Sequence, residues 1–341
     1  MDTQNVVLEL SKLIGEPINP SLPVPVEIST IADTFEADPG EKVWRFDSYD
    51  TDADQILDVE TDGRIVPQAR TPLSDTQLTF KGLNSMLEYV LVDTVLGSPD
   101  TDVLGRKKER IAAGMDKLEL RMILNAINDG KTPGMVGGTH SLEDSVQSAS
   151  LATGEDLYDV IIKMKHKVED YGDDFAFLVG STIKEKIDTF DKDYVGSFNY
   201  NVTLSSKLKE LGINVMKIFG TVKWTSYSTG LHNLSAGGYA DDSAVAALLG
   251  STKAILVARN SRISKGKPIV FVRRRINAEI AKLMGAEVDK AQRALIVNPT
   301  PVNLGGVNTL AYGVYGYESI IWAIVNPYAI CKSGDLTSYL A

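Results

Sequence analysis

The chain has 341 residues, of which 43% are hydrophobic and 23% charged, a globular composition that excludes wholesale disorder and fibrous repeats. This length predicts about two domains, and the formal net charge is -10. The only cysteine, Cys331, excludes an intrachain disulfide. No apolar run is long enough to span a bilayer, and the first residues lack the pattern of a signal peptide, so we expect a soluble protein without a membrane partner.

The first part of the chain is acidic and rich in proline. Residues 1–62 hold 15 acidic and 3 basic residues, whereas the remainder holds 30 acidic and 32 basic residues. Five of the 13 prolines lie within the first 39 residues, and Pro23-Val24-Pro25-Val26 favours extended backbone that lacks ladder donors. Residues 1–42 are therefore predicted to form an arm that becomes ordered by lying on its own domain or on a neighbouring subunit.

An extended hairpin is predicted next, over residues 43–82. Strand-like segments begin at Val43 and end at Phe80, and turn residues such as Asp62-Gly63 lie between them. The segment offers too few large apolar side chains to build a core of its own, and long loops of this kind usually wrap a partner. We therefore expect the hairpin to project from the body.

The middle of this hairpin, residues 50–58, partly matches a calcium-binding loop. Carboxylates stand at loop positions 1, 3, 5 and 9 of the motif. Gln55 stands where glycine makes the sharp turn, and Thr61 stands where a bidentate glutamate closes the site. These departures favour a solvated acidic edge over a metal site.

The following segment, residues 86–96, fits either a strand or a helix, and its strand formers Tyr89-Val90-Leu91-Val92 favour the strand. Apolar residues then recur at helical spacing from Leu104 to Ala126, which predicts a long helix ending at Asp129-Gly130. The first half of this helix is basic outside the apolar stripe, and its second half is apolar nearly all round.

From residue 153 onward, helices and strands alternate. Thr153 with Asp156 and Thr182 with Glu185 are typical of capped helix starts, and Gly212 is typical of a helix end. Strands are predicted at 175–179, 213–218, 254–258, 269–272, 294–297, 310–317 and 318–325, with a helix at 276–284. The whole pattern predicts a mixed α+β fold.

Few residues suit catalysis. Cys331 follows an apolar run and is predicted to be a buried small hydrophobe, and Gly130-Lys131-Thr132 lacks the upstream glycine and the preceding strand of a phosphate loop. The three histidines are far apart in sequence: His140, His166 and His232. We therefore predict no catalytic residue, no metal and no cofactor. The alternative, an enzyme that acts on a small molecule, would need titratable groups that converge on one site.

Basic residues cluster late in the chain, between Arg259 and Lys267 and in Arg273-Arg274-Arg275. Without interleaved aromatic residues, sequence-specific nucleic-acid binding is not expected. The acidic arm and hairpin supply the opposite charge, so these clusters favour a contact between subunits, with a weak DNA-facing wall as the alternative.

The order of these parts resembles the major capsid proteins of tailed bacteriophages, the Hong Kong 97-type fold that encapsulin shells also use. The resemblance covers nearly the whole chain and includes the proline-bearing arm. It rests further on the hairpin end Leu78-Thr79-Phe80, the helix with Arg106-Lys107-Lys108-Glu109-Arg110, the segment Asp156-Leu157-Tyr158-Asp159 and the terminal Tyr312-Gly313-Val314-Tyr315-Gly316-Tyr317.

This resemblance implies an N-terminal arm at 1–42, an extended E-loop hairpin at 43–82 and a peripheral domain with a spine helix at 83–139. It further implies an axial domain at 140–290 and return strands of the peripheral domain with the C-terminus at 291–341. The implied function is that of a non-enzymatic major capsid protein, which forms the hexamers and pentamers of an icosahedral shell around a phage genome in the bacterial cytoplasm. The alternative is an encapsulin-like shell that encloses protein cargo.

The resemblance also implies partners. These are further copies of the chain, a separate scaffolding protein, a portal and packaged double-stranded DNA contacted without sequence specificity, with a decoration protein as a further candidate. The short arm after Met1 suggests a separate scaffold or none, and the absence of lysine between Lys42 and Lys81 argues against the covalent cross-link of some relatives. The candidate inter-subunit contact residues are Asp47, Asp50, Asp52, Asp54, Asp58, Arg64, Arg70, Arg106, Lys107, Lys108, Arg273, Arg274 and Arg275.

Overall fold

The computed structural model of the chain describes residues 26–49, 73–84, 88–97, 102–129, 135–136, 146–149, 155–189, 203–222, 246–261, 266–283, 285–289, 292–304 and 307–339. Its helices are α1 (Val92–Leu96), α2 (Val103–Asp129), α3 (Leu157–Val168), α4 (Ser181–Thr189), α5 (Leu204–Glu210) and α6 (Ala278–Leu283). Its first strands are β1 (Ala32–Ala37), β2 (Val43–Tyr49), β3 (Leu73–Thr79), β4 (Lys81–Asn84), β5 (Glu88–Leu91), β6 (Met135–Val136), β7 (Gln147–Ser148), β8 (Gly172–Val179) and β9 (Ile213–Lys217). The remaining strands are β10 (Thr221–Val222), β11 (Ala246–Ala247), β12 (Ala254–Ser261), β13 (Ile269–Arg274), β14 (Ala286–Asp289), β15 (Arg293–Leu304), β16 (Val307–Ile324) and β17 (Ile330–Lys332).

A large sheet is built around the 18-residue strand β16. Its strand order is β1-β13-β16-β15-β14, and β4 and β5 also pair with β16. Among the described strands of this sheet, only β1 and β13 run parallel, with Ala32 opposite Ile269 and Ala37 opposite Arg274. The last part of the predicted arm is therefore a strand of this sheet, which is one of the two ways in which we expected the arm to become ordered.

One edge of this sheet carries prolines. β14 pairs with β15 only as far as Ile296, whereas β15 continues to Leu304 against β16. Pro299 and Pro301 lie on the part of β15 beyond β14, and both are exposed. Proline has no N–H to donate, so it is tolerated here because its nitrogen faces the outer edge of the strand.

A second sheet has the order β7-β17-β12-β8-β9 and is apolar on both faces. Phe175 and Phe177 point to the side covered by α3, α4 and α5, whereas Ala176 and Leu178 point to the side of α2. Successive residues of a strand face opposite sides of the sheet, so burial of both faces explains the continuous apolar runs in the sequence.

The long helix α2 lies in the core that the two sheets share. Leu120, Ile123, Leu124 and Ile127 in its second half are fully buried. Helix and sheet approach closely at Gly316, where a β-carbon would meet the Met115 sulfur. The second half of the helix is therefore packed on several sides, as its apolar sequence predicts.

The predicted signals at the ends of helices hold at some positions and fail at others. Asp156 caps α3, because its side chain accepts a hydrogen bond from the Asp159 amide while Asp159 accepts one from the Asp156 amide. Thr153, the predicted first member of that cap, lies outside the described residues. The Thr182 cap is wrong, because α4 already begins at Ser181. Gly212, with φ of +73°, follows the end of α5 as predicted.

Two strand predictions and one helix prediction need correction. The ambiguous segment at 86–96 is a strand only in β5 and turns into α1 at Val92. The two closing strands are one strand, β16, because β15 pairs with it continuously through Gly313 and Gly316. The helix predicted from 276 begins at Ala278, where Asn277 Oδ1 accepts hydrogen bonds from the Glu279 and Ile280 amides.

Sheet membership crosses the predicted boundary at residue 290. β13 belongs to the large sheet although it precedes that boundary, and β17 belongs to the second sheet although it follows it. The division into domains stays a prediction. In the described part of the chain, no helix is long and apolar enough to cross a bilayer.

Candidate functional site

The base of the predicted hairpin is firmly attached to the body. β2 and β3 pair from Val43 opposite Thr79 to Tyr49 opposite Leu73, and β6 adds a third strand. Trp44 stacks on Phe35 with 5.8 Å between ring centroids, and Phe80 packs against the large sheet. The two flanking strands of the hairpin are therefore confirmed.

The register of the hairpin places two acidic residues at opposite positions of the ladder. Asp47 lies opposite Asp75 in the β2–β3 ladder. Like charges in one cross-strand pair disfavour a hairpin in isolation. The predicted contact residues Asp50, Asp52, Asp54, Asp58, Arg64 and Arg70, together with the partial calcium loop, lie outside the described residues.

Four of the basic residues of α2 lie in its first two turns. Arg106, Lys107 and Lys108 are half-buried, and Arg110 is exposed. The helix begins at Val103, and Asp102 Oδ1 accepts a hydrogen bond from the Gly105 amide at 3.1 Å. Positive side chains near a helix N-terminus oppose the helix dipole.

The three arginines predicted as one basic cluster have separate surroundings. Arg274 donates to the Glu41 carbonyl at 3.1 Å and lies over the Phe80 ring, so it supports the base of the hairpin. Arg275 forms an exposed ion pair with Glu36 at 2.6 Å. Arg273 points inward, as described below. Their role between subunits stays a prediction.

A buried cluster of charges joins α2 to the large sheet. Arg293 of β15, with 6% of its side chain exposed, donates to Glu318 Oε2 at 2.9 Å and to Asp116 Oδ1 at 2.8 Å. It also donates to the Ala112 carbonyl at 3.2 Å and lies 3.6 Å from Glu119. Glu119 and Glu318 are fully buried. One guanidinium therefore ties the helix to two strands.

Arg273 of β13 completes this cluster. It donates to both carboxylate oxygens of Glu119, at 3.0 and 2.5 Å, and lies 4.7 Å from the Phe271 ring. Burial, followed by the charge of Glu119, raises the pKa of Glu318 to about 8 against the pull of Arg293. Burial alone would lower the pKa of Arg293, but the charges of Glu318, Glu119 and Asp116 raise it.

Sequence reasoning missed this cluster. Its signals were isolated acids in apolar runs, Glu119 between Leu118 and Leu120 and Glu318 at the start of the predicted strand 318–325. A charge in a buried run is retained in folded proteins when it is paired. Its partners are far away in sequence, so no spacing rule finds them.

An apolar surface lies beside α6. A cavity of about 340 Å³ is lined by Ile276, Ile280, Tyr315 and Tyr317 together with small residues of β14 and β15. Ile280 is largely exposed, and 87% of Leu283 is exposed at the end of the same helix. Exposed apolar side chains of this size, placed beside a cavity, mark a candidate contact surface.

Of the residues considered for catalysis, the structure describes Cys331 on β17 and His166 on α3. Cys331 is buried as predicted, and burial raises the pKa of its thiol to about 11. His166 is exposed on α3 beside Glu169, and His140, His232 and Gly130-Lys131-Thr132 lie outside the described residues. Within the described ranges, no group of three or more histidine, cysteine, aspartate or glutamate residues could hold a metal ion.

Comparison by sequence finds no matching family model and no curated protein with a significant match. Comparison by structure finds capsids. The capsid of a native GTA particle matches with a TM-score of 0.53 and 12% identity over 93% of this chain and 92% of that chain. The mature capsid of bacteriophage PhiM1 matches with a TM-score of 0.52 and 11% identity over 94% and 90%. The capsid of the cyanophage P-SCSP1u matches with a TM-score of 0.51 and 10% identity over 94% and 90%.

These matches run through nearly the whole length of the chains on both sides. They establish the fold: the chain has the Hong Kong 97-type capsid fold, a mixed α+β architecture. The expectation about the fold is therefore confirmed, including the long helix.

Proposed function

We propose that this chain is the major capsid protein of a tailed bacteriophage, which assembles with copies of itself into an icosahedral shell around the genome. The observation that carries the proposal is the match in fold, over more than nine-tenths of the chain, to capsids of two phages and a GTA particle. The structures that match are shell components and not enzymes. The scattered histidine and thiol are consistent with a structural role.

The proposed domains follow the predicted division. Residues 1–42 form the arm, 43–82 the E-loop hairpin, 83–139 the peripheral domain with α2, 140–290 the axial domain and 291–341 the return strands and C-terminus. The observed sheets suggest one refinement: β13 groups with the peripheral sheet and β17 with the axial sheet. A hairpin rooted at Trp44 and Phe80 has a fixed base from which its tip can reach a neighbour.

The proposed assembly contacts are electrostatic. The acidic hairpin, represented by Asp47 and by 50–58, meets basic residues of a neighbouring subunit, for which Arg106, Lys107 and Lys108 are candidates. Two observations support this pairing: Asp47 lies opposite another aspartate in the hairpin, and the basic cluster opposes the dipole of its own helix. A neighbour of opposite charge relieves both costs and sets the register of the contact.

Assembly then follows from many modest contacts. An arm, a hairpin and a peripheral domain that engage several neighbours act together, so the shell can be stable although each contact is weak and reversible. Closed symmetry limits growth to hexamers, pentamers and the shell that they form. Further proposed partners are a separate scaffolding protein, a portal, double-stranded DNA bound without sequence specificity and a decoration protein, in a virion assembled in the bacterial cytoplasm.

Electron microscopy of the expressed full-length chain, alone and with the products of neighbouring genes, tests this function. We expect closed particles with icosahedral symmetry. Particles purified from infected or induced cells should contain DNA, whereas an encapsulin-like shell would contain protein cargo instead. A chain that stays monomeric at about 37 kDa under all these conditions contradicts the proposal.

A further inference from the structure

The charge cluster between α2 and the large sheet contains more acid than base. Three carboxylates, those of Asp116, Glu119 and Glu318, face the two guanidinium groups of Arg273 and Arg293. With every group ionised, the cluster has an excess negative charge. An uncompensated charge in a buried site is costly, and a carboxyl group avoids the cost by keeping its proton.

The geometry identifies the carboxyl that keeps the proton. Glu119 accepts hydrogen bonds on both oxygens from Arg273, and Asp116 is partly exposed. Glu318 is fully buried and receives Arg293 on Oε2 only. Within the described residues, its Oε1 has no hydrogen-bond partner. It is therefore the acid with the least support for a full negative charge.

Among the described side chains, the charges that act on Glu318 are those of the cluster itself. α2 contributes the carboxylates of Asp116 and Glu119, and its Ala112 carbonyl accepts a hydrogen bond from Arg293. β13 contributes Arg273, and β15 contributes Arg293. β4 lies on the other side of β16, with Leu83 in register with Glu318. The proton on Glu318 is thus controlled by the same groups that hold the helix to the sheet.

We propose that this cluster is a proton-sensitive junction: Glu318 is protonated when α2 is locked on the large sheet, and loss of that proton weakens the attachment of the helix. The junction lies within one chain, so it does not depend on the proposed shell. In a shell it would make the attachment of the long helix weaken as the pH rises.

The direction of the pH effect follows from burial. The pKa of Glu318 is raised from 4.5 to about 8, so between these values the folded chain holds a proton that the unfolded chain has released. Folding stability due to this group is therefore fully present below about pH 4.5 and is lost as the pH rises to about 8. One proton changes the unfolding equilibrium constant about tenfold per pH unit in that window.

Glu318→Gln provides the test, because an amide has the shape of a protonated acid and cannot ionise. Unfolding of the full-length chain is measured across this pH range for the wild type, E318Q and a control, Glu279→Gln, at an exposed glutamate on α6. We expect the wild type and E279Q to lose stability relative to E318Q as the pH rises. Hydrogen exchange of the α2 amides should rise in the same window in the wild type, compared with E318Q at equal pH.

Infrared spectroscopy of the wild-type chain gives a second measurement that needs no variant. The C=O stretch of a protonated carboxyl should be present at about pH 6 and should disappear with a midpoint near 8. Absence of that band at about pH 6 overturns the proposal even where E318Q does not fold. Parallel pH dependence of the wild type and a folded E318Q overturns it as well.

Discussion

Replacement of Arg293 by methionine removes the group that ties α2 to β15 and β16. The variant loses the contacts to Glu318 at 2.9 Å, to Asp116 at 2.8 Å and to the Ala112 carbonyl at 3.2 Å. Methionine keeps much of the buried side-chain volume, so the main cost is electrostatic. Breaking a buried ion pair from one side costs about 3–5 kcal/mol, because the partner charge stays behind.

The size of this cost depends on pH. Below the pKa of Glu318 of about 8 the remaining carboxyl can be protonated, so we expect the low end, about 3 kcal/mol. Unfolding entropy of about 2.1 cal/mol/K per residue gives about 0.7 kcal/mol/K for 341 residues. The melting temperature should therefore fall by about 4 °C at neutral pH and by up to about 7 °C above pH 8.

Differential scanning calorimetry of the unassembled chain measures this shift. The matched control is Arg275→Met, which removes an arginine from an exposed pair with Glu36 and should leave the melting temperature nearly unchanged. Adding Glu318→Met to Arg293→Met should recover part of the loss, because the second change removes the uncompensated acid. A single variant that melts like the control, or a double variant that melts lower still, refutes the electrostatic explanation.

Three further predictions concern assembly and local geometry. Asparagine at the hairpin aspartates Asp47, Asp50, Asp52, Asp54 and Asp58 should leave the monomer folded but impair or alter particle formation in microscopy; unchanged particles at both low and high salt would contradict the electrostatic contact. Gly180→Ala should strongly destabilise the chain in thermal unfolding, because the new β-carbon would clash with the backbone carbonyl of Gly250. Its control is Gly114→Ala, in α2 with open space around the β-carbon, which should stabilise by about 0.5–1 kcal/mol. Asp156→Ala should cost about 1 kcal/mol in chemical denaturation through loss of the α3 cap, and an unchanged transition midpoint would show that the cap contributes nothing.

Much of the architecture could be predicted because it depends on local pattern. The apolar stripe from Leu104 to Ala126 predicts α2, whose observed range is Val103–Asp129. The apolar run at 175–179 predicts a buried strand, and β8 is buried on both faces there. The order of these parts was sufficient for the fold to be expected, although identity to the matching capsids is only 10–12%.

Errors arose where tertiary contacts decide the local structure. Thr182 has the residue type of a cap, but Gly180 donates to the Lys253 carbonyl and the helix starts directly after it. The segments 310–317 and 318–325 are predicted as two strands, yet β15 pairs with Tyr317 and Glu318 without a break, so both belong to one strand. In each case a distant segment supplies the hydrogen bonds that the local sequence does not reveal.

The buried charge cluster could not be predicted from sequence patterns either, because its members are far apart in the chain. Arg273 and Glu119 lie 154 positions apart, and Arg293 and Asp116 lie 177 apart. In the sequence alone, Arg273 is only one member of a run of three basic residues. Its burial against Glu119 is a consequence of the register between β13 and β16, which no single segment of sequence specifies.

The two prolines at the outer edge of β15 have a consequence for polymerisation. Pro299 and Pro301 have no backbone N–H, so a strand from another molecule could not form a continuous hydrogen-bond ladder with β15 beyond Ile296. Two prolines at an exposed strand edge therefore disfavour edge-to-edge pairing of two sheets along this part of β15. The missing N–H is a property of the proline ring and not of a charge, so its effect does not depend on salt concentration or pH.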